Sequence, residues 1–412
     1  LDMRFGLLDW LELRKKTSVL HFFLNLSMKK LILLLLFIPF VFACDENRNK
    51  YEFLIKDESF KNSFIISANE DIIQLSEGFT YYKWENKSSN ISPIVLVHGF
   101  SVPSYIWEPT FKMLAEKGYY VIMLDLYGRG YSENLDKAYT DELLANQVLD
   151  LLNELNVISA KFIGLSNGGR VISKVADLQP KIVEKLIYVA SSGFREVIEE
   201  TNKSVSEKEV EDFISINYPT ISKGQLLDFK YPEKHIGWDV KYEELLKYKG
   251  FANALISTRK NHYTMDEIHT KIQLSAIPTF TIWGESDKVV VFENFKKKID
   301  SILPRRKDFF ITESGHLPHM ENQIDFDKIL LSIIKDNIWY EKTNSIDNMK
   351  FSWKETYSWL CALSFPIIGC AQFISDYTGI DYWSILYFGI GLGTVAVLII
   401  ILRFKKKKKW KN

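Results

Sequence analysis

The 412-residue sequence predicts an α/β fold: a mostly parallel eight-stranded sheet flanked by helices, a helical cap inserted after the sixth strand, and a transmembrane helix near the C-terminus. Three observations lead there. Between residues 69 and 342 short β-rich runs alternate with amphipathic stretches, the pattern of strands joined by crossover helices. The later runs are continuously apolar, as strands covered on both faces must be. The alternation then stops for about 80 residues between Ser192 and Leu274, in a stretch rich in Glu, Lys, Tyr and Trp that reads as helices lying over the strand ends, a cap of about 194–272.

The first two strand candidates, Ile72–Leu75 and Thr80–Trp84, alternate enough to form an antiparallel entry to the sheet. Ile94–Val97, Tyr120–Leu124, Lys161–Gly164, Leu186–Ala190, Thr279–Trp283 and Asp308–Thr312 complete the set. Helical patterns fill the gaps: Glu108–Glu116, Asp141–Leu155 behind a Thr140 N-cap, and Asn167–Leu178 ending at Pro180.

The flanks carry targeting signals. Met28, Lys29 and Lys30, the apolar run Leu31–Phe42 and then Ala43-Cys44-Asp45 have the plan of a secretory signal peptide over 28–43. Val41-Phe42-Ala43-Cys44 resembles a bacterial lipobox, which makes Cys44 the expected lipidation site. Residues 1–27 precede this start and read as a gene-model extension, and the polar stretch 44–68 reads as a tether. Residues 343–412 read as a membrane-associated region. Ser384–Leu402 is free of charge and is followed at once by Arg403 and six lysines, so 384–402 is the expected transmembrane helix and 403–412 its basic cytoplasmic tail. Trp359–Ser375 is apolar too, but it is shorter and contains Pro366. The positive-inside rule favours a single span with this segment at the interface. The expected location is the bacterial cell envelope, with the body outside the cytoplasm and membrane lipid as a partner.

Hydrophobic residues at 47% and charged residues at 25% give a chain able to bury a large core. The formal net charge of zero hides a segregation. The two termini hold 13 of the 52 basic and three of the 52 acidic side chains, so residues 31–402 carry 39 basic against 49 acidic groups. An acidic body argues against nucleic acid as a partner. The three cysteines fall at 44, 361 and 370, which leaves the body without a disulfide or a cysteine metal site. There is no H-E-x-x-H motif and no Gly-rich phosphate loop, so no metal and no cofactor is expected.

The chemistry centres on Gly164-Leu165-Ser166-Asn167-Gly168, a G-x-S-x-G motif directly after an apolar strand and before an amphipathic helix. A serine in that sharp turn projects its hydroxyl from the carboxyl end of the sheet, and the glycines give the backbone room. Three further segments follow strands: His98-Gly99-Phe100, Asp125-Leu126-Tyr127-Gly128-Arg129-Gly130, and Trp283-Gly284-Glu285-Ser286-Asp287. Gly315-His316 follows the last strand. The chain order is serine, acid, histidine.

With these motifs in this order, residues 70–340 closely resemble the α/β-hydrolase superfamily, in particular its capped serine esterases and monoacylglycerol-lipase-like members. The resemblance implies Ser166 as nucleophile, His316 as base, Asp287 as the orienting acid, and the backbone N–H groups of Phe100 and Asn167 as the oxyanion hole. His319 competes for the role of base and Glu285 for that of acid. Gly315 before His316, and the three-residue offset of Asp287 from Gly284, match the family pattern. Asp125 and Arg129 read as turn-fixing or rim residues. Phe251, Trp238 and Tyr231 are candidates to line an acyl pocket.

The expected function is hydrolysis of carboxylic esters through an acyl-enzyme, with small-molecule lipid-derived esters such as monoacylglycerols favoured by the cap and the membrane signals. The same triad serves C–C bond hydrolysis, aminopeptidase action, haloperoxidation and acyl transfer. A non-catalytic binding protein that keeps the hydrolase shell is the alternative of another class. Oligomeric state is not legible.

Overall fold

A computed structural model describes residues 50–64, 67–88, 91–197 and 199–335. The strands are β1 (Glu70–Gln74), β2 (Phe79–Glu85), β3 (Ile94–Val97), β4 (Val121–Leu124), β5 (Ala160–Leu165), β6 (Val183–Val189), β7 (Thr279–Gly284) and β8 (Lys307–Ile311). The helices are α1 (Glu58–Ser63), α2 (Glu108–Glu116), α3 (Asp141–Glu154), α4 (Asn167–Leu178), α5 (Glu207–Gly224), α6 (Trp238–Glu243), α7 (Phe251–Lys260), α8 (Asp266–Ser275), α9 (Lys296–Ile302), α10 (Pro318–Glu321) and α11 (Gln323–Lys335).

One eight-stranded sheet runs in the order β1-β2-β4-β3-β5-β6-β7-β8. Pairs β1/β2 and β2/β4 are antiparallel and all others are parallel. The sheet is therefore the mostly parallel one expected, with the antiparallel entry in its first two strands. All four side chains of β3 and of β4 are buried, which is why those strands read as unbroken apolar runs. Edge strand β8 is only partly covered.

The chain leaves β3 first for β4 on one side and then for β5 on the other. At such a reversal of strand order the crossover helices diverge and open a crevice at the carboxyl ends of the strands. Val97 is level with Leu124 in β4 and with Gly164 in β5, so three loops begin at one height around that crevice.

Helices α5, α6 and α7 fill the long interval between β6 and β7. α5 starts with a capping box in which Ser206 and Glu209 satisfy each other's backbone donors. α8 belongs to the flanking layer instead of the cap, because His269 Nε2 meets Ser173 Oγ at 3.0 Å and Lys271 pairs with Asp177 at 2.7 Å. The helical insertion thus closes before residue 272.

Part of the segment expected as a tether is docked on the domain. Leu54 forms a parallel bridge to Tyr248. The buried Lys56 ammonium donates to the carbonyls of Gly130 and Ser132 at 3.0 and 2.6 Å. Polar composition suggested a tether here, but these polar groups find buried partners that composition cannot reveal. Among the described residues no helix is long and apolar enough to cross a membrane. The signal peptide 28–43, Cys44, the span 384–402 and the basic tail 403–412 lie outside the described residues.

Candidate active site

Ser166 sits between β5 and α4 with φ 51° and ψ −113°, a left-handed conformation that a residue with a Cβ rarely adopts. The turn is held closed by backbone bonds: Ser166 N–H donates to Val189 O at 2.8 Å, and Ser166 O accepts from Gly169 and Ser192 N–H at 3.0 and 3.1 Å. The motif glycines are there for space. A Cβ on Gly168 would run into the carbonyl oxygens of Val97 and His98, and one on Gly164 would come within 2.5 Å of Gly168 O.

His316 follows β8 and Asp287 follows β7, and both strands run parallel to β5, so these residues emerge at the same carboxyl end of the sheet as Ser166. His316 Nδ1 bonds Asp287 Oδ2 at 2.8 Å, with both side chains buried. The second carboxylate oxygen, Oδ1, accepts from the N–H groups of Val289 and Val290 at 2.8 and 2.9 Å. Those donors fix the carboxylate and aim Oδ2 at the ring. The loop carrying His316 is itself tied to the cap: Gly315 and Lys230 N–H donate to the two oxygens of Glu321 at 2.7 and 2.6 Å, and His316 N–H donates to Asp228 O at 2.8 Å.

Burial opposes a charge on His316. The bond and charge of Asp287, joined by the charge of Asp228, outweigh it and raise the pKa above the ordinary imidazole value. Among the described residues no hydrogen bond joins Ser166 Oγ to His316. The imidazole–carboxylate half of the arrangement is assembled.

The N–H groups of Phe100 and Asn167 donate no hydrogen bond among the described residues. The Phe100 turn is positioned from behind. His98 Nδ1 bonds Gly99 O at 2.9 Å while His98 Nε2 accepts from Leu126 N–H at 2.9 Å. Buried Arg129 donates to Phe100 O at 2.9 Å and to Thr258 Oγ1 on α7 at 2.8 Å, and so joins this turn to the cap. Asp125 accepts from Ser104 and Tyr131 N–H, both at 2.8 Å, which makes it the turn-fixing carboxylate that its position suggested.

The rivals lie elsewhere. His319 is buried against Trp107, bonds Ile106 O at 3.0 Å, and is pushed down to about 3 by burial. Glu285 is exposed. Ser166 and Asn167 line a cavity of about 540 Å³ together with Phe100, Arg195, Arg259 and His262. Phe251, Trp238 and Tyr231 do not line it. Phe251 packs on Tyr242, Trp238 on Phe229 and Tyr105, and Tyr231 bonds Glu313.

Sequence reasoning missed the contributions of the cap. His262 Nε2 lies 2.8 Å from Asn167 Oδ1, and burial followed by the charges of Arg170, Arg129, Arg259 and Arg195 holds its pKa down to about 3. A neutral His262 donates this bond and fixes the residue next to Ser166. Asp228 faces His316 from the cap as well. Neither belongs to a local motif, so no spacing rule could have found them. Among the described residues no group of three or more His, Cys, Asp and Glu side chains could hold a metal ion.

A family profile described as alpha/beta hydrolase fold matches residues 92–271. The pimeloyl-[acyl-carrier protein] methyl ester esterase of Aliivibrio salmonicida is 33% identical over 253 residues, which cover 60% of this chain and 92% of that protein. The dihydrolipoyllysine-residue acetyltransferase component of the acetoin cleaving system of Pseudomonas putida is 26% identical over 250 residues, 59% of this chain, and the chain spans 64% of its length. Among solved structures, the esterase EaEST from Exiguobacterium antarcticum shares the fold with a TM-score of 0.54 at 22% identity, covering 64% of this chain and 99% of that one. The chain is an enzyme of the hydrolase class with esterases among its relatives, and it belongs to the alpha/beta hydrolase family.

Proposed function

We propose that the protein hydrolyses carboxylic esters through an acyl-enzyme on Ser166. The observation that carries this reading is the strained Ser166 turn standing at the same carboxyl end of the sheet as the bonded His316–Asp287 pair. In the first step Ser166 Oγ attacks the ester carbonyl and His316 Nε2 takes the hydroxyl proton. Asp287 holds Nδ1–H and offsets the imidazolium charge. The oxyanion of the tetrahedral intermediate accepts from the N–H groups of Phe100 and Asn167. His316 then returns the proton to the departing alkoxide, and the same groups direct water at the acyl-enzyme in the second half.

A lipid-derived ester such as a monoacylglycerol fits the membrane signals of the sequence. The residues around Ser166 lend it no particular support, since Arg195, Arg259, Asn167 and His262 make that wall polar. Attachment to the cell envelope through Cys44 or the 384–402 segment belongs to the same proposal and rests on sequence alone. Fractionation of cells expressing the full chain tests it, and recovery in the cytosolic fraction contradicts it.

The catalytic reading is tested with the full chain in a non-ionic detergent. A fluorophosphonate probe labels wild type and leaves Ser166→Ala unlabelled, and p-nitrophenyl esters of increasing acyl length are cleaved by wild type alone. A folded wild type that neither labels nor hydrolyses any of these esters overturns the proposal.

A further inference from the structure

We propose that the substrate of this site carries an anionic oxygen group on its acyl or alcohol portion, held by Arg195 and Arg259 at the cavity beside Ser166. The inference rests on the serine-hydrolase reading and names its substrate class. Three arginines line the cavity, and they are not equivalent. Arg170 is consumed by a buried pair with Asp141 at 2.7 Å. Arg195, just beyond the 3-10 turn that follows β6, and Arg259, in the last turn of α7, form no ion pair among the described residues. Both are exposed at the cavity. Two carboxylates line it as well. Glu196 is engaged by Lys298 at 3.2 Å, which leaves Glu200 against two guanidinium groups.

An independent observation points the same way. Asn167 is 2% exposed, its Oδ1 meets His262, and its Nδ2 has no partner among the described residues. An unused buried donor costs about 1–3 kcal/mol, and this one belongs to a residue that lines the cavity. The charge of Arg195 also opposes protonation of both His262 and His316, without reversing the upward shift of His316, so it acts on the side of the site where the proposed reaction takes place. Guanidinium and amide N–H groups are donors only, and their complement is an acceptor with negative charge, a carboxylate or a phosphate. Phe100 and Val289 supply the short apolar stretch between the ester and that anion. A purely alkyl substrate would gain nothing from the same guanidinium groups.

The test uses the full chain in a non-ionic detergent and matched pairs of esters. Mono-p-nitrophenyl glutarate is compared with its neutral methyl ester for the acyl side, and 4-acetoxybenzoate with its methyl ester for the alcohol side. A phosphonate-terminated acyl ester separates phosphate-like from carboxylate preference. The expected result is a kcat/KM ratio of about tenfold or more for the anion in one of the pairs, falling as salt is raised. Arg259→Gln and Arg195→Gln lower that ratio, Arg259→Lys keeps part of it, and Arg259→Glu turns it toward an amine-terminated ester. The ratio within each variant is its own control for folding. Ratios near one in both pairs, with Ser166 still labelled by a fluorophosphonate, overturn the inference and leave the hydrolase reading standing. A ratio that neither glutamine variant moves also overturns it. Loss of labelling in wild type removes both.

Discussion

Replacing Asp287 by asparagine changes one atom in the site and reverses the proton pattern of the imidazole. The carboxylate is pinned by Val289 and Val290 N–H on Oδ1, and these two donors require an acceptor. An asparagine therefore keeps its carbonyl oxygen on them and turns its amide nitrogen toward His316 Nδ1. Nδ1 then has to accept, the ring proton moves to Nε2, and Nε2 can no longer take the proton of Ser166. Loss of the productive tautomer in a Ser-His-Asp arrangement costs about 10³- to 10⁴-fold in kcat, or about 4–5.5 kcal/mol of transition-state stabilisation.

The pH profile gives a second readout. As the proposed base His316 must be neutral, and in wild type its pKa is raised above the ordinary imidazole value, so activity is expected to disappear as pH falls through that raised value. Asp287→Asn removes the largest raising influence, and the residual activity then persists to lower pH. Asp228 remains and retains a smaller part of the shift. The assay is p-nitrophenyl ester hydrolysis across pH, with urea melts to establish equal folding. A variant that keeps more than a tenth of wild-type kcat, or an acid limb that does not move, refutes the assignment of Asp287.

Three further outcomes are expected. Gly168→Ala places a methyl group against the Val97 and His98 carbonyls and should cost about 3 kcal/mol in urea unfolding; a loss under about 1 kcal/mol would contradict the packing argument. His98, His262, His269 and His319 are each held down to about 3 by burial, so they are neutral when folded and gain protons on unfolding. Stability is accordingly intact above pH 6.5 and is lost as pH falls toward 3, by up to about 1.4 kcal/mol per pH unit for each histidine; a Tm lowered by about 10 °C or more between neutral and mildly acidic pH is expected, and a flat Tm would exclude it. Glu52 accepts from Tyr218 Oη and from the N–H groups of Gly250 and Ala252 at the start of α7, so Glu52→Ala should loosen the cap by about 2 kcal/mol and speed its limited proteolysis.

The inner strands of the sheet were legible because each is a short, largely apolar run bounded by turn residues, and the first two because they alternate. Ile94–Val97 lies where the sequence put it, and β4 through β8 differ from their predicted bounds by at most three residues at an end. α2 and α4 match, and Thr140 caps α3 through its Oγ1 on Leu143 N–H at 3.0 Å. The boundaries that failed were those set by partners distant in sequence. α8 reads as one more cap helix until Lys271 and His269 are seen against α4. Residues 50–56 read as a tether until the partners of Glu52 and Lys56 are seen.

For the site the division is the same. A serine in a strand-to-helix turn, with a carboxylate and a histidine following later strands, is written in the residues themselves, because those features are local: a glycine pattern, an apolar run and a position at its end. What surrounds them is set by the folded arrangement. Arg195, Arg259, His262 and Asp228 reach the crevice from the insertion between β6 and β7, in a stretch without periodic signal, and their roles come from charge and distance across the fold. Coulomb and hydrogen-bond energies depend on separation in space, and separation along the chain does not encode that.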